Sequence, residues 1–288
     1  MNLLAGLEKF GFDSLGDVDI LNDGVQEKPK KAAKGPKVKP KPVVREQDLI
    51  IDKKIECPIC NHVITYKSVL TTRLKRLEPD DDLRPNFEGI DDTKYGVTVC
   101  YHCGYAALNQ FFEGVSPGRR KMIRAEICEK FKSIPEPDVD IYTYDIAVNR
   151  YKLALLTALA KKAKLSEKSY ICLKMAWLRR AQLELLPDEI VEKEKKEEVE
   201  EREGFYRQAY DGFTKVLSEE MPPYCGMDAN TVEFILANMA MHFGEYDKAA
   251  KLVANLLTTT GVSKRMKDKC LDMKAVILEK LKENRGKK

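Results

Sequence analysis

Apolar and polar positions along the chain change period twice. Leu3, Leu4, Leu7 and Phe10 recur at helical spacing and stop at Gly11, which predicts two or three helical turns. From Leu49 the pattern turns strand-like: Ile55-Glu56-Cys57 and Val97-Thr98-Val99-Cys100 each run into a cysteine, and Val63-Ile64-Thr65-Tyr66 is rich in β-branched and aromatic residues. Beyond Gly104 the helical period takes over. Ser116 before Pro117 predicts the cap and first turn of a helix whose Met122, Ile123, Ile127 and Phe131 share a face, closed by Pro135 and Pro137. Further helices are predicted over residues 141–164, 168–186 and 188–217, the first half of the last being strongly acidic and therefore expected to stand in solvent.

The C-terminal stretch predicts a helical hairpin. Leu236, Ala237 and Ala240 line one helix, Gly244-Glu245-Tyr246 turns the chain, and Val253 and Leu256 continue the stripe after Ala249. Gly244, Tyr246 and Ala249 resemble the marker positions of a tetratricopeptide repeat, and a last helix over 263–281 would cap the stack. Markers at Ala147, Ala209 and Ala249 are spaced by 62 and 40 residues rather than by about 34. Irregular hairpins with a lengthened middle member are expected.

Chemistry enters with the cysteines. Cys57-Pro58-Ile59-Cys60 and Cys100-Tyr101-His102-Cys103 each present two thiols on one turn, followed by Asn61 and Gly104, residues that tolerate left-handed backbone. Four thiolates in two such knuckles supply a tetrahedral zinc site. The expected metal ligands are therefore Cys57, Cys60, Cys100 and Cys103, holding one structural Zn2+ per chain, with His62 and His102 beside the sphere rather than in it. Cys128, Cys172, Cys225 and Cys270 occur singly and read as small buried hydrophobes. The 39 residues between the knuckles exceed the spacing of a compact ribbon. At their centre Asp80-Asp81-Asp82-Leu83-Arg84 reads as a solvated loop or partner contact in preference to a Mg2+ site.

Charge adds a boundary. Residues 1–27 carry six acids and one lysine, whereas 28–41 contains seven lysines interspersed with prolines and no acid. The expected organisation is a docking segment at 1–27, a Lys/Pro-rich linker at 28–48, a zinc-ribbon-like module at 49–110 and a helical domain at 111–288. The fold class is α+β, mainly α: a small β module followed by a tetratricopeptide-like bundle. No apolar run approaches the ~20 residues of a membrane span, and the N-terminus lacks a cationic leader, so a cytoplasmic protein is expected.

With both knuckles, Asp82-Leu83-Arg84-Pro85 and Cys103-Gly104-Tyr105-Ala106 in view, the chain resembles bacterial domain-of-unknown-function family 2225 over about residues 50–280. The resemblance implies a four-cysteine zinc ribbon followed by helices and no established activity. The leading expectation is a protein-interaction scaffold whose helical groove takes another protein or peptide. Nucleic-acid binding through the lysine arm, with Tyr66, Tyr95, Tyr101 and Tyr105 stacking bases, is one alternative. A thiol redox sensor is another. Three histidines, no Gly-rich phosphate loop and no HExxH motif speak against an enzyme.

Overall fold

The computed structural model describes residues 44–133 and 135–286 and, ahead of them, a strand pair of β1 (Val18–Asp19) and β2 (Gly24–Val25). The chain divides into two units, Met1–Val43 and Val44–Lys288. The segment Leu3–Phe10 and the lysine arm at 28–41 lie outside the described residues. Glu46–Leu49 forms a 310 turn that runs across the expected boundary between linker and module; it buries Leu49, and Glu46 accepts from Lys94 and from the Tyr95 hydroxyl.

Two β-hairpins carry the knuckles. β3 (Ile50–Glu56) pairs antiparallel with β4 (Val63–Val69), from Ile50 opposite Val69 to Glu56 opposite Val63. β5 (Val97–Val99) and β6 (Ala106–Leu108) pair likewise, Val97 opposite Leu108. Each CxxC is thus the turn of a hairpin.

Helices come next. α1 (Pro117–Ile123) passes directly into a π-turn, Arg124–Cys128, instead of running on through Phe131. Ile123 and Ile127 are buried, but Met122 is 38% exposed, because on a helix it sits ~100° away from that pair. α2 (Tyr144–Ala160), α3 (Leu165–Glu184), α5 (Lys196–Glu219), α6 (Ala229–His242), α7 (Tyr246–Thr258) and α8 (Lys264–Gly286) pack each on the next, with a short α4 (Asp188–Glu194) outside this series. The helix predicted over 188–217 is therefore two, broken at Lys195, whose backbone leaves helical values. From Glu192 to Glu198 there is no apolar side chain to fasten a helix to the core, and packing, not propensity, supplies most helix stability. Nor is the acidic start of α5 all solvent-facing, since Glu201 bridges Lys152 of α2 and Arg179 of α3.

The β module and the helices share one core. Val97, Val99, Ala106 and Leu108 are buried together with Ala147, Tyr151 and Ala154 of α2 and with α3 beyond. Arg150 of α2, 1% exposed, donates to the Val97 carbonyl at 3.0 Å and to the Tyr101 hydroxyl, and lies over the Tyr142 ring. At the α3–α5 crossing the backbones approach so closely that a Cβ on Gly212 would run into Ser169 Oγ. Gly212→Ala is expected to cost about 1–3 kcal/mol by overpacking. The urea midpoint reports it, and an unchanged midpoint would mean that the helices separate freely here.

The insertion between the knuckles corrects the sequence reading most. Asp82 is 3% exposed and accepts hydrogen bonds from Trp177 Nε1 at 2.7 Å, from both terminal nitrogens of Arg180 at 2.9 and 2.8 Å, and from the Tyr206 hydroxyl at 3.3 Å. Arg84, also buried, pairs with Asp80 and Glu184 and donates to the Trp177 carbonyl. Leu83 between them takes a left-handed φ of 66°, which costs a non-glycine residue free energy and is tolerated because both flanking side chains are pinned. Of the triplet only Asp81 stays exposed; Asp80 and Asp82 are both paired with arginines, and among the described residues the three do not gather into a cation site. The triplet is the plug that fastens the insertion to α3 and α5.

Candidate metal centre

Each knuckle is built by the same two backbone hydrogen bonds. In the first, Cys57 N–H donates to the His62 carbonyl and Asn61 N–H to the Cys57 carbonyl, both at 2.9 Å. In the second, Cys100 N–H donates to the Tyr105 carbonyl and Gly104 N–H to the Cys100 carbonyl, both at 2.8 Å. The chain must then reverse, and Asn61 and Gly104 do so at φ 61° and 81°. At Gly104 a side chain is excluded twice over, since a Cβ would also meet the Phe131 ring at 2.5 Å.

These turns bring Cys57, Cys60, Cys100 and Cys103 together with every Sγ within 4.8 Å of the others. The Cys57–Cys103 and Cys60–Cys100 separations are 3.8 and 3.7 Å. A disulfide would need about 2.0 Å. Four sulfurs each ~2.3 Å from a tetrahedral metal ion stand about 3.8 Å apart, so the donor set fits a metal ion held by four thiolates. Among the described residues no other His, Cys, Asp or Glu group gathers in this way.

Electrostatics agree. Interaction with Cys103 and then Cys57 holds Cys100 well below the ordinary thiol value; interaction with Cys100, opposed by Cys103 and reinforced by burial, raises Cys57, and Cys103 is raised as well, again chiefly by Cys100. Binding four thiolates in one buried cluster gathers negative charge there. A divalent ion offsets that charge.

The histidines flank the sphere. His62 and His102 are exposed, and their rings, one from each knuckle, stack nearly parallel at a centroid distance of 4.6 Å. Tyr105 is buried and donates to the Phe112 carbonyl, so it is a core residue and presents no face to a base; Tyr95, 2% exposed, is spent on Glu46.

Sequence reasoning missed the segment that lies over the site. The chain after α1 is tied to both knuckles: Arg124 donates twice to the Ile59 carbonyl, at 2.8 and 3.3 Å, Phe131 packs against Gly104, and Ser133 donates to the Tyr101 carbonyl. Cys128, at the end of the π-turn, is half-buried and packs on the knuckle core. A lone cysteine in a helix-like pattern carries no sequence signal for this position.

Two cysteine-bearing hairpins sharing a core with a helical bundle define a mainly helical protein with a four-cysteine site able to hold a metal ion. The chain belongs to domain-of-unknown-function family 2225, described as an uncharacterized protein conserved in bacteria, which matches residues 50–277. No curated protein and no solved structure matches it. No helix among the described residues is long and apolar enough to cross a membrane.

Proposed function

We propose that this chain is a zinc-stabilised protein-interaction module. The carrying observation is the closed tetrahedron of four thiols, which suits zinc and leaves no position for the activated water of a hydrolytic centre. Bound zinc supplies folding free energy here rather than chemistry. The interaction part rests on the surface beside it. A hollow of about 580 Å3 between the π-turn segment and α2 is lined by Ile127, Phe131, Leu153, Leu156 and Leu159. Leu156 and Leu159 are 51% and 54% exposed, an apolar patch of the kind soluble proteins reserve for partners.

The test pairs the wild-type chain with Leu156→Asp/Leu159→Asp, both side chains pointing largely to solvent and so replaceable without loss of fold. Zinc content near one per chain is expected in both. Affinity capture from bacterial lysate should recover a stoichiometric protein with the wild type, and its yield should fall about tenfold or more with the variant. Recovery of RNA that disappears with added salt would replace this reading with nucleic-acid binding.

A further inference from the structure

A cavity of about 500 Å3 opens where four parts of the chain meet: the turn after β6, the loop into α1, the joint between α2 and α3, and residues 223–225 ahead of α6. It shares no lining residue with the apolar hollow beside the π-turn. Its wall is charged. Lys161 closes α2 with its side chain 5% exposed, and its ammonium pairs with Glu167 Oε1 of α3 at 2.7 Å. An ammonium has three donors, of which that oxygen engages one, and buried donors left unmet are costly. Arg119 and Lys164 also line the cavity; both are exposed, and neither pairs with a carboxylate among the described residues.

The start of α3 is not itself an anion site here. The Ser166 N–H and hydroxyl both donate to Glu220, at 3.2 and 2.6 Å, and Glu220 lies outside the lining. What remains for a ligand is side-chain chemistry. Arg119, Lys161 and Lys164 stand against Glu113 and Glu167, which leaves one positive charge on the wall, and Phe111 and Val115 add an apolar stretch. The volume is that of a small-molecule site.

We propose that this cavity binds a small organic carboxylate, its head held by Arg119, Lys164 and the remaining donors of Lys161, its apolar body lying along Phe111 and Val115. The planar fork of an arginine matches a carboxylate, and one negative charge completes the balance of the wall. A phosphate dianion would exceed that balance and meet the Glu113 carboxylate. The site uses neither the metal centre nor the docking surface, so it stands or falls apart from both.

Calorimetric titration of the full chain with phenylacetate tests this, with neutral phenylacetamide and dianionic phenyl phosphate as matched probes. Phenylacetate should bind one per chain with a Kd of about 1 mM or tighter, and the other two at least about tenfold more weakly. Arg119→Gln/Lys164→Gln changes two exposed side chains and leaves the Lys161–Glu167 pair intact, with circular dichroism confirming the fold. It should weaken phenylacetate about tenfold or more. Glu113→Gln should narrow the gap between phosphate and carboxylate. No binding of phenylacetate up to about 10 mM, equal affinity for the amide, or a double variant that binds as the wild type does would each overturn the site. Tighter binding of phenyl phosphate than of phenylacetate would overturn the carboxylate assignment.

Discussion

Cys57→Ser is expected to empty the metal centre and unfold more than the knuckle that carries it. Cys57 is wholly buried and contributes one of two thiols on the first hairpin, so serine there leaves a three-thiol site in the apolar cluster of Ile59, Ile64, Tyr105 and Ile123. Zinc in small Cys-rich domains contributes roughly 10–16 kcal/mol of apparent folding free energy, more than most domains have to spare. Because β5 and β6 lie in the same core as α2 and α3, the loss cannot stay confined to the ribbon. A loss of even ~4 kcal/mol moves the melting temperature of a chain this long by roughly 10 °C. Elemental analysis of the purified variant, with calorimetry, measures both. Metal retained at one per chain, or an unchanged melting curve, would remove Cys57 from the ligand set.

The second large effect belongs to the plug. Asp82→Ala should destabilise by about 3–5 kcal/mol, since it strands the Arg180 guanidinium, the Trp177 indole N–H and the Tyr206 hydroxyl without their common acceptor. The same carboxyl sets an acid response. Burial acts to raise it, but the hydrogen bonds and charge of Arg180 outweigh burial, with the Trp177 bond adding to them, and its value lies below the ordinary 3.8. Tyr206 of α5 and Arg84 and Asp80 of its own loop complete the surroundings. A carboxyl depressed in the folded state stabilises fully above its unfolded value of about 3.9, and that contribution disappears as pH falls through the lower folded value. The difference in urea midpoint between wild type and Asp82→Asn should therefore be largest at neutral pH and shrink below about pH 4. A difference that persisted undiminished in acid would show that packing, not charge, fastens the loop.

The range of the forces involved decided which features the sequence disclosed and which it hid. The knuckles were legible because ligand spacing and the left-handed residue after each CxxC are decided within six residues. The hairpin of α6 and α7 was legible for a similar reason, its turn and both stripes lying within one short window. Asp82 and Arg84 were not, because three aspartates in a row read locally as solvated, and their partners Trp177, Arg180 and Tyr206 come 93 to 124 residues later. The break at Lys195 escaped because continuity was inferred from polarity alone, without asking what anchored residues 192–198. Cys128 does pack on a core, as a small half-buried hydrophobe, but that this core is the one around the knuckles depends on contacts such as Arg124 to Ile59, 65 residues apart.

The distance between the plug and its socket has a consequence during synthesis. Arg180 comes 98 residues after Asp82, so when both knuckles have left the ribosome the insertion has nothing to dock on. At about 5–20 residues per second the nascent chain then waits some 4–15 s for Arg180 of α3, and longer for Tyr206. Throughout that interval an early-closing pair of knuckles would confine the uncovered loop to a ring of fewer than fifty residues, limiting how far its acids and arginine can stray before their socket is made.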